Sequence, residues 1–575
     1  ALLKNYLQYD FVVGNPPYIR IQRIPKKKIE NYGDAYETVF GKFNLYFLFI
    51  ERGIGWLNAN GMIGYICSNK FMQTLSGKRL RSFFLNSCKI KQIIDFRDIG
   101  VFRDVTNYPC IFVAEKSKRM DQQRIKFVRV LKTRNLLLDS VARNIAQQQY
   151  SEESYDIFEC SQSDLDENVW KFAPQFERKI FKKIESTGNF RLGDISRRIY
   201  TGIQSGADAV YVIDKDDLSE LEIENDLLKP LLRGRNVRRW QISWKRSYVI
   251  YPHEKKNSDV KVISHNDMKN RWSTCLQYLS SHKKKLQRRR WYGKSAEERY
   301  GEWYALMHAG NPEWFEQLKI LTPSLSNKNN FSLDHNNYYF VCGTAGVFGI
   351  LLEEKFKQFY LYVLGLLNSK VLEYYVKHIS PMFSGGYYKY NSAYLSPIPI
   401  KLPETKKDEE KTRRICQIVQ RVLRQVEPKQ LIKGFPEAYS TEYRLKGEEF
   451  NEVKFTFNTD HDELKPFISG LPGKGYVVYP SKGEDSIWVD TKEKAQYLAL
   501  ALRDRKVKQN DIIKILIPRA NPIVREILKK VKKTVQEIKA TPIDQLEEEI
   551  NELVYELYGL NEDDKAIIEN FLKKF

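Results

Sequence analysis

The chain has 575 residues, with 94 Lys and Arg against 72 Asp and Glu. A net charge of +22 and a pI near 9.3 are the footprint of a protein that meets a polyanion. Hydrophobic content of 42% and aromatic content of 13% are enough for about three or four domains with cores of their own, and no apolar run reads as a signal peptide or nears the ~20 residues of a membrane span. Seven cysteines without paired spacing, and seven histidines without i, i+4 pairing, argue for a reducing cytoplasm and against a disulfide frame or a metal site.

The first informative segment is Phe11-Val12-Val13-Gly14-Asn15-Pro16-Pro17-Tyr18. An apolar run without polar alternation predicts a parallel strand buried on both faces. The two prolines remove two backbone donors and hold Asn15 and Pro16 extended, giving a stiff loop at the strand's C-terminal end, where open α/β sheets bind ligands. This arrangement suits methylation of an exocyclic amine. The amine of adenine is a poor nucleophile because its lone pair is delocalised into the ring. The Asn15 side-chain carbonyl and the Pro16 backbone carbonyl are placed to accept both N–H groups and aim the lone pair at a methyl sulfonium, with no strong base required. Tyr18 is placed to stack on a base taken out of the duplex. The plain alternative is a Pro-rich turn between a strand and a helix.

Residues 1–116 alternate strand-like and helix-like runs, as an α/β sheet does. The strands near Ile90–Phe96 and Tyr108–Glu115 are joined too tightly for a helical crossover, which predicts antiparallel pairing. Residues 117–189 are polar and read as a connector with helix from Phe176 to Ser186. A second, α+β body spans 190–405. Within it, Ile199–Gly206 reads as a glycine turn leading into a strand at Ala209–Val212, and Lys319–Ser324 and Tyr338–Cys342 read as a strand pair. The densest positive charge is Lys283-Lys284-Lys285-Leu286-Gln287-Arg288-Arg289-Arg290, followed by Trp291 and Tyr292. A run of this kind is usually a solvated helix face; beside two aromatics in a basic body it is also a phosphate-contact candidate. In Ser380–Tyr390, Gly385-Gly386 permits close backbone approach, and Tyr387, Tyr388, Lys389 and Tyr390 either meet bases and phosphates or pack into the body's own core.

Residues 406–450 turn helical, with Ile415, Ile418, Val419 and Val422 at helical spacing. Residues 451–540 read as a small α+β insertion with strands at Phe455–Asn458, Gly475–Tyr479 and Ile512–Ile517, a helix at Thr491–Arg503, and no chemical constellation. Residues 541–575 predict a helical hairpin. Ile543, Leu546, Ile550, Leu553 and Leu557 form its stripe, Gly559 a C-terminal cap, and Asn561 with Asp564 the next N-cap. Ten acids against three lysines give this tail −7 and leave +29 for the rest of the chain, and its acids read most simply as solvated surface.

The N-terminal motifs resemble the gamma-type adenine-N6 DNA methyltransferases and the type IIG restriction-modification enzymes that contain them. The likeness is carried by Asn15-Pro16-Pro17-Tyr18, Asn44-Leu45-Tyr46, Gly61–Ser68, and Val101-Phe102 with Val105 and the strand Cys110–Val113, in the family's order. It implies the C-terminal half of a class I, Rossmann-like methyltransferase sheet. It also implies S-adenosylmethionine as donor, with Asn44 and Tyr46 on the donor side, Asn15 and Pro16 holding the amine, and Tyr18 and Phe102 sandwiching a flipped adenine. The family's glycine-rich donor loop precedes this point, so the chain is expected to be the C-terminal part of a longer protein and inactive by itself. Such enzymes normally carry a nuclease domain N-terminal to the methyltransferase.

Residues 190–405 resemble the family's Taq-type target-recognition domain through Ile199–Gly206, Leu228–Trp240, Trp303–Leu306 and Ser396–Ile400. The resemblance implies double-stranded DNA as partner, with Arg233, Arg235, Lys283, Lys284, Lys285, Arg288, Arg289, Arg290 and Lys389 as its contacts. Two alternatives stand beside this reading: a nuclease-free phage-defence methyltransferase, and a DNA-specificity module without catalysis. Related Asn-Pro-Pro-Tyr enzymes that modify glutamine amides or RNA lack so large a basic body downstream.

Overall fold

The computed structural model describes residues 8–21, 24–97, 108–117, 123–131, 138–147, 150–151, 154–170, 172–214, 218, 221–256, 259–383, 385–433, 435–471, 473–503, 505–540 and 542–575. Its N-terminal body is a mixed seven-stranded sheet. The strands are β1 (Tyr9–Gly14), β2 (Leu57–Ser68), β3 (Cys88–Asp95), β4 (Pro109–Lys116), β5 (Arg124–Val130), β6 (Tyr150–Ser151) and β7 (Tyr155–Ser161). Their spatial order is β1-β2-β4-β3-β5-β7-β6. Pairing of β1 with β2 and of β3 with β5 is parallel, whereas β3 and β4 pair antiparallel, as their short connection predicts.

Two expectations for this body change. β1 is an edge strand rather than one buried on both faces: Phe11 is 73% and Val13 83% exposed. The apolar run reports what the strand can bury, not what lies against it. Residues 124–161 are not a connector either, because β5, β6 and β7 extend the sheet. In β5, Ile125 and Phe127 face one core and Val128 and Val130 the other, so the strand changes its buried face midway and shows no single alternation within the polar segment.

Helices Tyr46–Gly55 and Lys78–Ser87 cover the sheet, and Phe47, Ile50, Ile54, Leu80 and Phe84 join Ile63, Phe112 and Trp170 in one core. The first helix lies so close that a Cβ at Gly53 would stand 2.7 Å from the Tyr65 hydroxyl. Arg81, 1% exposed, fixes the turn between β2 and the second helix by donating to the carbonyls of Phe71 and Thr74.

The second body packs β-strands Ser196–Thr201, Lys319–Pro323, Ser332–Asp334 and Val347–Leu352 into one sheet and Leu228–Leu232 with Tyr339–Phe340 into another. The strands near 319 and 339 therefore belong to different sheets and do not pair with each other. Asp208–Tyr211 is a helical turn, and the strand following the glycine turn begins at Val212.

Beyond residue 400 the predicted element types recur, but the first strand of the insertion lies at Phe450–Thr456 instead of Phe455–Asn458, and strands Phe467–Leu471 and Ile487–Val489 and the helix Asn521–Ala540 are additional. A helix runs Lys406–Lys433. The insertion carries strands Phe450–Thr456, Gly475–Tyr479 and Ile512–Pro518 with helix Lys492–Leu502. Helices Ile543–Leu557 and Glu562–Lys574 form the terminal hairpin, with Gly559 at φ +63° and an Asn561/Asp564 capping box. Leu546, Ile550, Val554 and Ile568 are buried in the core that also holds Leu366, Tyr374 and Ile415. The hairpin's acids are not simply solvated. Glu548 and Glu569 both reach Lys370 (2.9 and 2.7 Å), Glu549 reaches Arg414, Glu556 reaches Lys411, Asp564 reaches Lys183, and Glu547 meets Arg239 and the Trp240 indole N–H.

The two bodies meet at the β5–β7 end of the sheet. Arg129 bridges Asp156 and Glu177, both at 2.9 Å. Glu177 also faces His378, and Lys574 from the last helix closes on Asp156 at 2.9 Å.

Candidate active site and nucleic-acid interface

Gly14, the last residue of β1, pairs with Tyr65 of β2, and the chain then leaves the sheet as Asn15-Pro16-Pro17-Tyr18. Pro16 is buried and Asn15 exposed. The Tyr18 hydroxyl lies 3.0 Å from Asn15 Oδ1 and 3.1 Å from the Ile66 carbonyl, so it ties the loop to the end of β2. Burial pushes the Tyr18 phenol up from its ordinary value, with Cys67 and Cys110 adding in the same direction, and the hydroxyl stays a donor. An amide oxygen has two lone pairs: Tyr18 occupies one and leaves the other for a substrate N–H.

A second aromatic layer sets the Tyr18 ring. Tyr46 meets it edge-on at 6.1 Å and Phe47 meets Tyr46 at 4.8 Å. The segment after the loop pairs back onto the start of this helix through the Arg20–Asn44 bridge and the Leu45 N–H to Ile19 carbonyl bond of 2.9 Å. Asn15 and Asn44-Leu45-Tyr46 are therefore brought together. Asn44 is half-buried and accessible, whereas Tyr46 is fully buried and acts as a platform for Tyr18 instead of a donor contact. Phe102 lies outside the described residues.

The same lip of the sheet carries two polar residues that the sequence reading missed. Asn69, 1% exposed, donates through its side chain to Asp95 at 2.8 Å, and its backbone N–H meets the Tyr108 carbonyl at 2.7 Å. Burial pushes the Asp95 carboxyl up, against the hydrogen bonds from Asn69 and the Arg97 N–H. A polar residue at the C-terminal end of each of two apolar runs, Cys67-Ser68-Asn69 and Ile93-Ile94-Asp95, was the available signal. A cavity of about 410 Å³ opens here, walled by Asn69, Asp95, Arg97, Tyr108, Trp170 and Tyr388.

The last of these belongs to the second body. The hairpin of Met382–Phe383 and Tyr387–Lys389 reaches this lip of the sheet: Tyr388 accepts from Arg97 at 3.3 Å, and Lys70 lies 3.5 Å over the Tyr108 ring and 5.4 Å over Phe383. Lys389 sits 4.8 Å over Phe383, also at this junction. Of the three tyrosines, Tyr388 and Tyr390 are core residues, the latter bonded to Asn329 at 2.8 Å, and only Tyr387 is exposed.

The basic run divides. Lys284, Lys285 and Arg288 are exposed; Lys283 is exposed with its ammonium 5.3 Å over Trp303, and Arg290 is exposed with a bond to the Gln287 carbonyl. Arg289 is different. It is 7% exposed and donates to the carbonyls of Leu286, Ser205, Trp303 and Ala305. Its guanidinium is fully used inside the body, which corrects its place among the phosphate contacts. Arg235 is exposed, and Arg233 pairs with Asp208 at 3.1 Å. Among the described residues no cluster of His, Cys, Asp and Glu could hold a metal, and no helix is long and apolar enough to cross a membrane.

Residues 3–102 match the family model described as Eco57I restriction-modification methylase, and residues 229–400 match the TaqI-like C-terminal specificity domain. The type II methyltransferase M.BstVI of Geobacillus stearothermophilus is 27% identical over 419 residues, covering 71% of this chain and 70% of that protein. The type II restriction enzyme and methyltransferase RM.Eco57I of Escherichia coli is 26% identical over 427 residues, 69% of this chain and 40% of that one. Among solved structures, the type IIL restriction-modification enzyme MmeI in complex with DNA is similar over 72% of this chain and 49% of that chain, at 11% identity and a TM-score of 0.47. The chain thus spans well under two thirds of RM.Eco57I and about half of the MmeI chain.

Proposed function

We propose that this chain, an Eco57I-type methylase segment followed by a TaqI-like C-terminal specificity domain, methylates adenine N6 at a specific site in double-stranded DNA as part of a type IIG restriction-modification enzyme. One observation carries the chemistry: the Tyr18 hydroxyl bonded to Asn15 Oδ1 in a proline-stiffened loop at the C-terminal end of a parallel strand. It holds the amide carbonyl in one orientation before substrate arrives, so no reorganisation is needed when the amine enters. Asn15 Oδ1 and the Pro16 carbonyl accept the two N–H groups of the base, and the Tyr18 ring, braced by Tyr46, stacks on it. Phe102 is assigned the opposite face.

S-adenosylmethionine is the proposed donor and supplies an electrophilic methyl group when bound. Of the residues assigned to it, Asn44 fits by position and access; buried Tyr46 fits only as support for Tyr18. The hairpin that meets the lip at Tyr108 joins DNA reading to base presentation, and Arg235, Lys284, Lys285 and Arg288 are the exposed cations proposed to meet phosphates.

The test uses the full-length protein, a tritiated methyl donor and duplex DNA, with nucleoside analysis for N6-methyladenine. Asn15→Ala is expected to lower the single-turnover rate by on the order of 10²–10³, as loss of one preorganised transition-state contact does, with DNA affinity nearly unchanged. Full activity in that variant removes Asn15 from the role, and label found on cytosine removes the adenine assignment.

A further inference from the structure

Residues 435–531 form a module with its own core, beyond both family-matched segments. Its helix Lys492–Leu502 and the helix Asn521–Ala540 lie side by side. Between them runs a groove with an apolar floor of Ile468, Ala499, Leu500, Leu528 and Val531 enclosing about 440 Å³. A second hollow of about 460 Å³ continues it, sharing Gln496, Leu528, Lys532 and Gln536 with the first. From Arg525 to Gln536 the groove follows the helix for about 16 Å, roughly three turns.

Its rim is cationic. Arg503, Lys529, Lys532 and Lys533 are exposed and have no ion-pair partner among the described residues; Arg525 pairs with Glu493 at 2.9 Å. Lys529 stands three and four residues from Lys532 and Lys533, where like charges oppose helix formation. Where the C-terminal hairpin docks, by contrast, Lys370, Arg414 and Lys411 are each matched by one of its glutamates.

From this apolar floor and unmatched cationic rim we infer that the groove docks an acidic amphipathic helix of a partner protein, its apolar stripe on Leu500 and Ile468 and its carboxylates on Lys529, Lys532, Lys533 and Arg503. Helix-in-groove recognition combines these two features. A DNA backbone satisfies the cations but leaves the apolar floor wet, so the floor decides for a polypeptide.

The probe is a fluorescein-labelled peptide of about 18 residues with Leu at i, i+3, i+4 and i+7 and Glu elsewhere, long enough for the groove. Anisotropy is measured with the whole 575-residue chain. Binding in the micromolar range is expected, with a scrambled peptide of the same composition and a Lys-for-Glu peptide each at least about tenfold weaker. The exposed-site variants Lys529→Glu/Lys532→Glu/Lys533→Glu and Ile468→Arg are each expected to weaken the acidic peptide about tenfold while the melting temperature stays put. Equal binding of the scrambled peptide reduces the groove to general polyanion attraction and overturns the proposal. So does the absence of peptide binding, or displacement of the peptide by duplex DNA together with lost DNA affinity in the triple variant, which assigns the surface to nucleic acid.

Discussion

The basic run Lys283–Arg290 and the acidic hairpin 541–575 look alike in sequence: each is a charged stretch on short helices that reads as solvated surface. In the fold they part company. The hairpin lays Leu546, Ile550, Val554 and Ile568 into the body's core, and that docking carries its acids onto Lys183, Arg239, Lys370, Lys411 and Arg414. The basic run buries Leu286 and one arginine and leaves the remaining cations to solvent. Charge alone does not say which will happen. The apolar stripe beneath it does, because burial brings the charges to partners or leaves them outside.

The strongest way to break this comparison is Arg289, the member of the run that behaves like the hairpin. Arg289→Met is expected to destabilise the second body by about 3–5 kcal/mol, because four buried carbonyls lose their shared donor. Chemical denaturation followed at tryptophan is the measurement. A change below about 1 kcal/mol would return Arg289 to the exposed set.

Acid sharpens the other side. Burial pushes the Glu177 carboxyl up, but Arg129 and His378 outweigh it and leave it at about 2, below its ordinary value; Asp156, beside Arg129 and Lys574, and Glu548, beside Lys370, are lowered as well. Groups with depressed folded values stabilise above their unfolded pKa and lose that contribution as pH falls through the folded one. Stability from Glu177, on the order of 3 kcal/mol, is therefore present above about pH 4.5 and lost toward pH 2. Hydrogen exchange at stepped pH is expected to show the terminal hairpin opening in that window, ahead of helix Ser273–Ser281 beside the basic run. Simultaneous opening would mean that the clasp at Arg129 does not hold the hairpin. A milder version is Lys370→Met, which unpairs Glu548 and Glu569 on a partly exposed surface and is expected to cost about 1 kcal/mol in urea denaturation.

The same distinction explains what was legible. Asn15-Pro16-Pro17-Tyr18 was readable because prolines act locally and fix a loop without help from distant chain. The terminal hairpin was readable because its stripe, Gly559 and the Asn561 cap all agree. β5 and β7 were hidden in polar sequence, since each changes its buried face midway, Ile125 and Phe127 giving way to Val128 and Val130, and Tyr155 and Ile157 to Phe158 and Cys160, so no single alternation marks either strand. Asn69 and Asp95 were missed because single polar residues after strands gain meaning only when sheet order sets them side by side. Arg289 was indistinguishable from Arg288 and Arg290, as all three follow the five-residue helix Lys283–Gln287 and the path of the chain after its end decides which arginine turns inward.

The smallest effect is the most diagnostic. Lys284, Lys285 and Arg288 are exposed where Arg289 is buried, so neutralising them is expected to leave the fold intact. Their effect then appears only in DNA binding, through counterion release. Each phosphate contact removed is expected to flatten the slope of log affinity against log salt by about 0.9, equally for cognate and scrambled duplexes. Titrations of Lys284→Gln/Lys285→Gln/Arg288→Gln and the parent at several salt concentrations read this directly. A flatter slope with unchanged sequence preference places the three on phosphates. Altered preference at one base pair with the slope unchanged would make one of them a base reader, and no change in either would leave the exposed half of the run as solvated surface after all.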